Sequence, residues 1–254
     1  AEAGAWAPRI ARVAMQMGLT GAEHVCGIPG TLGGLVCMNG GSQRKGIGSA
    51  LVEACVEQGT HYCDLTGEAQ WVRVMIDEHH EEALERGVRI VTCCGFDSIP
   101  SDLGTLMLQH HALETHGRSC EEVKFFMAKA RGGFSGGTVA SMLELLKQAS
   151  KDRSILKVLG HPYSLNPEGE REGPDGSDQK WIRYDDDARA WTAPFLMAPI
   201  NTKIVRRSNA LLGYKYGRDF RYSEVTRTGG GPTGMFAAAM MALDIGGFTV
   251  ALMQ

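Results

Sequence analysis

The stretch Val88-Arg89-Ile90-Val91-Thr92-Cys93-Cys94-Gly95-Phe96-Asp97-Ser98-Ile99-Pro100-Ser101-Asp102 decides how this sequence is read. Residues 88–94 form an apolar run of the kind that makes a strand covered on both faces. Gly95 opens a turn, and a helix is expected from 102 to about 111. The same pattern stands upstream. Residues 49–58 read as a helix with Leu51, Val52, Cys55 and Val56 on its apolar side and Gly59 as its stop. Residues 60–65 read as a short strand. Residues 68–86 read as a longer helix, with Trp71, Val72, Met75 and Ile76 inward, His79 and His80 outward, and Gly87 at its end. Helices and strands alternating through glycine-closed loops predict an α/β, doubly wound parallel sheet.

Past Cys120 the texture changes. A strand is expected at 123–130, followed by the loop Gly132-Gly133-Phe134-Ser135-Gly136-Gly137 and an amphipathic helix over 138–149. The polar, Pro/Gly-rich segment 161–178 reads as a solvated loop. Residues 180–193 read as a hairpin turning at Asp185-Asp186-Asp187, and 201–212 as a helix carrying Lys203, Arg206 and Arg207. This half reads as an α+β domain. The resulting division is an atypical Gly-rich segment over 1–48, a partial parallel-sheet domain over 49–120 and a second domain over 121–254. Within the first segment, 7–17 suit a helix, and 27–48 show no clear periodicity.

Composition narrows the function. The 254 residues are 43% hydrophobic and 22% charged, with a formal net charge of −3. That balance suits a globular protein and gives no basic field for nucleic acid. Seven cysteines include no CxxC pair, and no signal peptide opens the chain. Reduced thiols in a cytoplasmic protein are the expectation, with Cys93 and Cys94 buried and inert. The sequence reads as cut at both ends. An apolar run from near Met235 to Gln254 is interrupted by Asp244 and Gly246-Gly247. It suits a buried helix or strand, with a membrane-surface segment as the alternative.

In open parallel sheets, ligands bind where the carboxyl ends of strands meet the following loops. Two loops qualify: Asp64-Leu65-Thr66-Gly67-Glu68 and the 95–102 turn, which open on one edge if their strands share a sheet. Each residue also has a plainer use. Ser98 or Ser101 can cap a helix, Pro100 suits a first turn, and Asp64, Thr66 and Glu68 suit a helix start. Asp97 stands apart, because the cap already has other candidates. The 132–137 loop is either an anion cradle or a tight turn. No GxGxxG follows a strand; Gly27, Gly30 and Gly33 give only a GxxGxxG spacing. His79-His80 and His110-His111 are neighbours rather than i,i+4 partners, so no metal site is expected.

The blocks 61–68, 93–104, 132–138 and 200–211, in that order, resemble the saccharopine-dehydrogenase-like oxidoreductases, including trans-acting enoyl reductases. The resemblance covers about residues 48–254. It implies a Rossmann-like N-terminal domain, here partial, and a substrate domain that is incomplete at its C-terminus. It implies NADP(H) as cofactor and hydride delivery to an enoyl thioester or a related lipid or polyketide intermediate. The alternatives are a saccharopine-type imine reductase and a non-catalytic lipid- or membrane-associated relative.

On this reading Asp97 and Ser98 lie nearest the chemistry, with Asp97 as a polar anchor. Gly95, Phe96, Asp64 and Glu68 would lie beside the cofactor. Gly133, Phe134, Ser135, Arg206 and Arg207 would face the substrate. Lys203, Arg206 and Arg207 read either as phosphate ligands or as a solvated helix face. The first 48 residues do not resemble the nucleotide-binding start of such enzymes, which puts independent NADP binding in doubt. Peripheral membrane contact and a homo-oligomer are further expectations.

Overall fold

The computed structural model describes residues 6–17, 41–42, 45–128, 145, 148–149 and 151–252. The expected 132–137 loop, the 27–33 glycine tract and most of the 138–149 helix lie outside them. The fold is mixed α/β, with seven helices among the described residues. Two compact units divide it. One holds residues 1–67 and 71–95, the other residues 68–70 and 96–254. The break lies earlier in the chain than the change of texture near 120.

The first unit runs α1 (Ala7–Gln16), β1 (Gly41–Ser42), β2 (Lys45–Gly46), α2 (Ile47–Glu57), β3 (Tyr62–Cys63), α3 (Ala69–Glu85) and β4 (Ile90–Val91). The apolar side expected of α2 is its buried side. Val52 packs with Tyr62 and Met75, and Val56 with Ala83 and Val88. Both helices end where glycine takes the left-handed backbone conformation, at Gly59 (φ 66°) and Gly87 (φ 65°). The next amides then bond back, Thr60 N–H to Cys55 O and Val88 N–H to Ala83 O, each at 2.8 Å. β3 and β4 are parallel neighbours, with Tyr62 opposite Ile90 and Cys63 opposite Val91.

Three expectations change here. The 88–94 strand shrinks to Ile90–Val91, because Cys93 turns out of the extended region at φ 61°. It is not covered on both faces, since Val91 is exposed. β4 pairs with β3 alone among the described residues, which leaves its other edge without a strand partner there. The histidines of α3, expected outward, are half-buried.

The second unit runs α4 (Ile99–His116), β5 (Glu122–Met127), α5 (Ser154–Gly160), β6 (Arg183–Asp185), β7 (Ala190–Pro194), α6 (Ala198–Leu211), β8 (Arg221–Gly229) and α7 (Gly231–Leu252). Its sheet has the order β5-β8-β7-β6. β5 is parallel to β8, and the other pairs are antiparallel. The expected hairpin is β6–β7. Its turn is fixed by Asp185 Oδ1, which accepts the Ala188 N–H at 2.9 Å. Val123, Val205, Tyr216, Phe220 and Tyr222 form the core beneath α6.

α7 is the apolar run, now a helix against β7 and β8. It buries a stripe of small residues, Gly234, Ala238 and Ala242, while Phe236, Met240 and Leu243 stay exposed. Small side chains at i, i+4 and i+8 let the helix axis approach the sheet closely. No helix among the described residues is long and apolar enough to cross a membrane.

The 161–178 segment is irregular but not a solvated loop. Tyr163, Ser164, Leu165 and Asn166 are buried, Leu165 completely. The reason lies in α6. Arg206 Nε donates to Asp175 Oδ2 at 2.7 Å, and its other nitrogens donate to Pro162 O, Thr202 Oγ1 and Tyr222 O. Its guanidinium stands 5.3 Å from the Tyr163 ring centre. Arg207 donates to Leu165 O at 2.6 Å, and Lys203 Nζ to Leu159 O at 3.0 Å. Asp175 completes the latch by accepting the Tyr222 N–H. A basic helix face thus draws a polar segment down over itself.

Breaking a buried ion pair from one side leaves the other charge unpaired, at a cost of about 3–5 kcal/mol. Arg206→Ala is expected to lose that much stability in urea unfolding. Arg218→Ala, whose partner Glu170 lies at 3.5 Å on the surface, is expected to lose less than about 1 kcal/mol.

Candidate active site

Both predicted loops sit at strand ends, and β3 and β4, being parallel, end on one edge of their sheet. The first loop folds on its own aspartate. Asp64 Oδ1 accepts the Thr66 N–H at 3.0 Å, and Oδ2 accepts the Tyr62 hydroxyl at 2.9 Å. That is an Asx-turn rather than a helix cap, because α3 begins only at Ala69. Burial and the adjacent Asp64 charge push the Tyr62 phenol well above its ordinary range. Glu68 is half-buried beside the start of α3.

Cys94 N–H donates to Asp64 O at 2.7 Å, so the exit of β4 lies against this loop. Gly95 makes that approach possible: a Cβ there would stand 3.2 Å from the Leu65 Cβ. Cys93 is buried and Cys94 half-buried, and neither is in a disulfide.

Within the 95–102 turn the exposures diverge. Phe96 and Asp97 are exposed, while Ser98 and Ser101 are buried. Ser98 occupies the N-cap position of α4 yet makes no side-chain cap bond. Its carbonyl instead accepts the Ser101 and Asp102 amides, each at 3.1 Å. Its hydroxyl donates to Asn201 Oδ1 at 2.8 Å. Asn201 Nδ2 donates to Asp97 O at 2.8 Å, to Ser101 Oγ at 3.3 Å and to Glu224 Oε2 at 3.0 Å. Glu224 Oε1 accepts the Tyr222 hydroxyl at 2.7 Å. The turn is therefore tied, through one carboxamide of α6, to a carboxylate on β8.

Burial pushes the Glu224 carboxyl above its usual range, against hydrogen bonds from Ser101, Tyr222 and Asn201 that favour the anion. The Tyr222 phenol is also pushed up, first by burial and then by the neighbouring Glu224 charge. Burial raises Asp102 as well, opposed by a hydrogen bond from Ser208. In Lys203, burial lowers the ammonium pKa.

The structure brings Asp97 and Ser98 together around Asn201. It also seats Gly95 on the Asp64 loop. Gly133, Phe134 and Ser135 lie outside the described residues. Lys203 and Arg206 are buried and spent on protein acceptors, so the solvated-face reading of them does not hold. Arg206 has all three nitrogens engaged inside the protein, which leaves no fork for a phosphate. Arg207 is half-buried over the 161–178 segment.

Sequence reasoning missed Asn201, Glu224 and Tyr222 as site residues. A signal existed: in a strand of period two, 222 and 224 share a face, and a carboxylate beside a core tyrosine demands partners.

Among the described residues no cluster of His, Cys, Asp and Glu could hold a metal ion. Neither loop is the glycine-rich cradle of N–H groups that seats a pyrophosphate. The described residues therefore do not by themselves fit a dinucleotide. What they offer is an exposed carboxylate and aromatic ring on a turn braced from beneath.

No protein-family profile matches the chain, and no solved structure resembles it closely enough to compare. Curated proteins do. A candidate trans-acting enoyl reductase of Mycobacterium tuberculosis is 47% identical over 188 residues, covering 72% of this chain and 45% of that protein. A trans-acting enoyl reductase of Mycobacterium bovis is 38% identical over 207 residues, 79% of this chain and 50% of the other. One from Mycobacterium leprae is 39% identical over 189 residues, with 72% and 45% covered. The chain spans about half the length of the curated relatives it matches.

Replacing Asn201 by Leu strands the Ser98 hydroxyl and one Glu224 oxygen. A loss of about 2–4 kcal/mol in unfolding free energy is expected. Glu224→Gln tests the charge. Because the folded state holds the Glu224 proton more tightly than the unfolded chain, stability falls as pH rises above about 4.3, the ordinary glutamate value. Thermal melts between pH 4 and 8 should show that fall in the parent and a flatter profile in Glu224→Gln. Identical profiles would remove this role of Glu224.

Proposed function

We propose that this chain is part of a trans-acting enoyl reductase, an oxidoreductase that reduces the carbon–carbon double bond of an enoyl thioester with a nicotinamide cofactor. The observation that carries the reading is the 38–47% identity to proteins of that name over most of this chain. The placement of Asp97 and Phe96 on an exposed turn just past a strand of a parallel pair supports it. We further read the first unit as part of a Rossmann-like domain of the saccharopine-dehydrogenase-like kind, and the cofactor as NADPH. A bound nicotinamide would supply the hydride for the β-carbon of the enoyl thioester, with a proton added at the α-carbon.

The residues of this chain orient the reactants. Asp97 presents its carboxylate at the turn, where it can anchor a polar group of substrate or cofactor. Ser98 is a positioning residue: it reaches nothing outside the protein and holds the turn through Asn201. Gly95 itself lies against Leu65 of the Asp64 loop; Asp64, Gly95, Phe96 and Glu68 are the residues we assign to the cofactor. Gly133, Phe134, Ser135 and Arg207 remain the assigned substrate side.

The imine-reductase and non-catalytic alternatives have no observation of their own in their favour. A peripheral lipid contact would use the exposed Phe236, Met240 and Leu243 of α7.

A full-length protein containing this chain should oxidise NADPH in the presence of crotonyl or longer trans-2-enoyl thioesters. Asp97→Asn is expected to lower kcat/KM by on the order of 10- to 100-fold, the scale of a misplaced reactant. Absence of turnover with every chain length would overturn the reading.

A further inference from the structure

A cleft of about 480 Å³ lies wholly within the second unit, between one face of α4 and the strands β5 and β8. Its size is that of a small-molecule site, about 300–1,000 Å³. The positions contributed by α4, among them 100, 104, 107, 108 and 111, recur at helical spacing. Across from them stand Val123, Lys124 and Phe125 of β5 and Tyr222 of β8.

Every polar side chain in this wall has a partner inside the protein. Tyr222 donates to Glu224, and the Ser101 hydroxyl accepts from Asn201. Thr105 donates to Ser101 O, and Lys124 Nζ pairs with Asp185 and Asp187. His111 meets Thr115 at 3.5 Å. What remains to meet an occupant is hydrocarbon: Pro100, Met107, Leu108, Val123 and Phe125. Met107 is 72% exposed at the rim.

Gly104 lies on the same wall. Glycine inside a helix is destabilising relative to alanine, and it is usually kept where a neighbour leaves no room. At Gly104 a Cβ would meet nothing within 4 Å. The space it leaves opens into the cleft.

We propose that this cleft holds the aliphatic tail of the acyl substrate. The inference rests on the enoyl-thioester reading above and assigns that substrate's hydrocarbon end to α4 and β5. A wall that is mostly hydrocarbon, with Ser101, Thr105, Lys124 and Tyr222 committed inside the protein and only the exposed His111 ring at its edge, selects a saturated chain over a sugar, nucleotide or peptide.

The test is calorimetric titration of the 254-residue chain with butanoyl-, decanoyl- and hexadecanoyl-pantetheine, with pantetheine alone as the reference. Affinity should rise with chain length, by about fourfold for each fully buried methylene. Gly104→Phe fills the cleft from the helix and should weaken hexadecanoyl binding by at least about tenfold. Met107→Glu, at an exposed rim position that tolerates charge, should weaken it as well and covers the case in which Gly104→Phe does not fold. Affinity independent of chain length, or unchanged in the folded variants, overturns the cleft as the tail site. The assay needs no cofactor and no turnover. A full-length enzyme that reduces enoyl thioesters while the cleft ignores acyl chains overturns this inference alone. Acyl binding in the cleft without any turnover overturns the reductase reading instead.

Discussion

The Asn201 carboxamide is the constraint on which the second unit depends. It sits fully buried on α6, accepts a hydrogen bond from the Ser98 hydroxyl, and donates its own to the Asp97 carbonyl, Ser101 and Glu224. An amide has both donors and an acceptor in one plane, so it can bond a turn and a strand at once. A leucine of similar volume would fill the space and leave a buried carboxylate and hydroxyl to find other partners. A site can afford an exposed Asp97 on a turn because the backbone beneath it is held at the carbonyl. Glu224 is tolerated in the core for the same reason: Tyr222, Ser101 and Asn201 all donate to it.

Much of the fold was legible in the sequence. α2 and α3, the glycine stops at 59 and 87, the β6–β7 hairpin and α6 follow from apolar spacing and turn chemistry, which are local. The strands at 60–65 and 88–94 were overextended. Apolar composition reports that a residue is shielded, and it does not report how far a ladder runs; Cys93 leaves the strand by a backbone dihedral that composition does not encode. The segment 161–178 was misread for the opposite reason. Its polarity is real, but Asp175, Tyr163 and the carbonyls of 159, 162 and 165 face a basic helix more than thirty residues away. Nothing within the segment announces that partner.

The candidate site divides in the same way. The turn and the Asp64 loop were found because strand-end loops are predictable positions. The brace behind them was not, since Asn201 looks like an ordinary helix residue until its neighbours are known. Arg206 shows the reverse error: a cluster of three basic residues invites a phosphate, whereas burial turns two of them into internal fasteners. A charge on a helix becomes a ligand site only if its donors remain unspent after folding. Counting those donors requires coordinates.

The hydrogen bond from Ser98 to Asn201 spans 103 positions in the chain, and β5 pairs with β8 across a comparable interval. Contacts of that reach carry a loop-closure cost before they return any stability, and they slow folding. On the ribosome, α4 and β5 emerge long before the α6 and β8 residues that hold them. The turn bearing Asp97 cannot acquire its brace until Asn201 and Glu224 have both emerged. Until Glu224 has left the exit tunnel, β5 lacks the β8 neighbour that completes its ladder, and the apolar face of α4 has no sheet behind it.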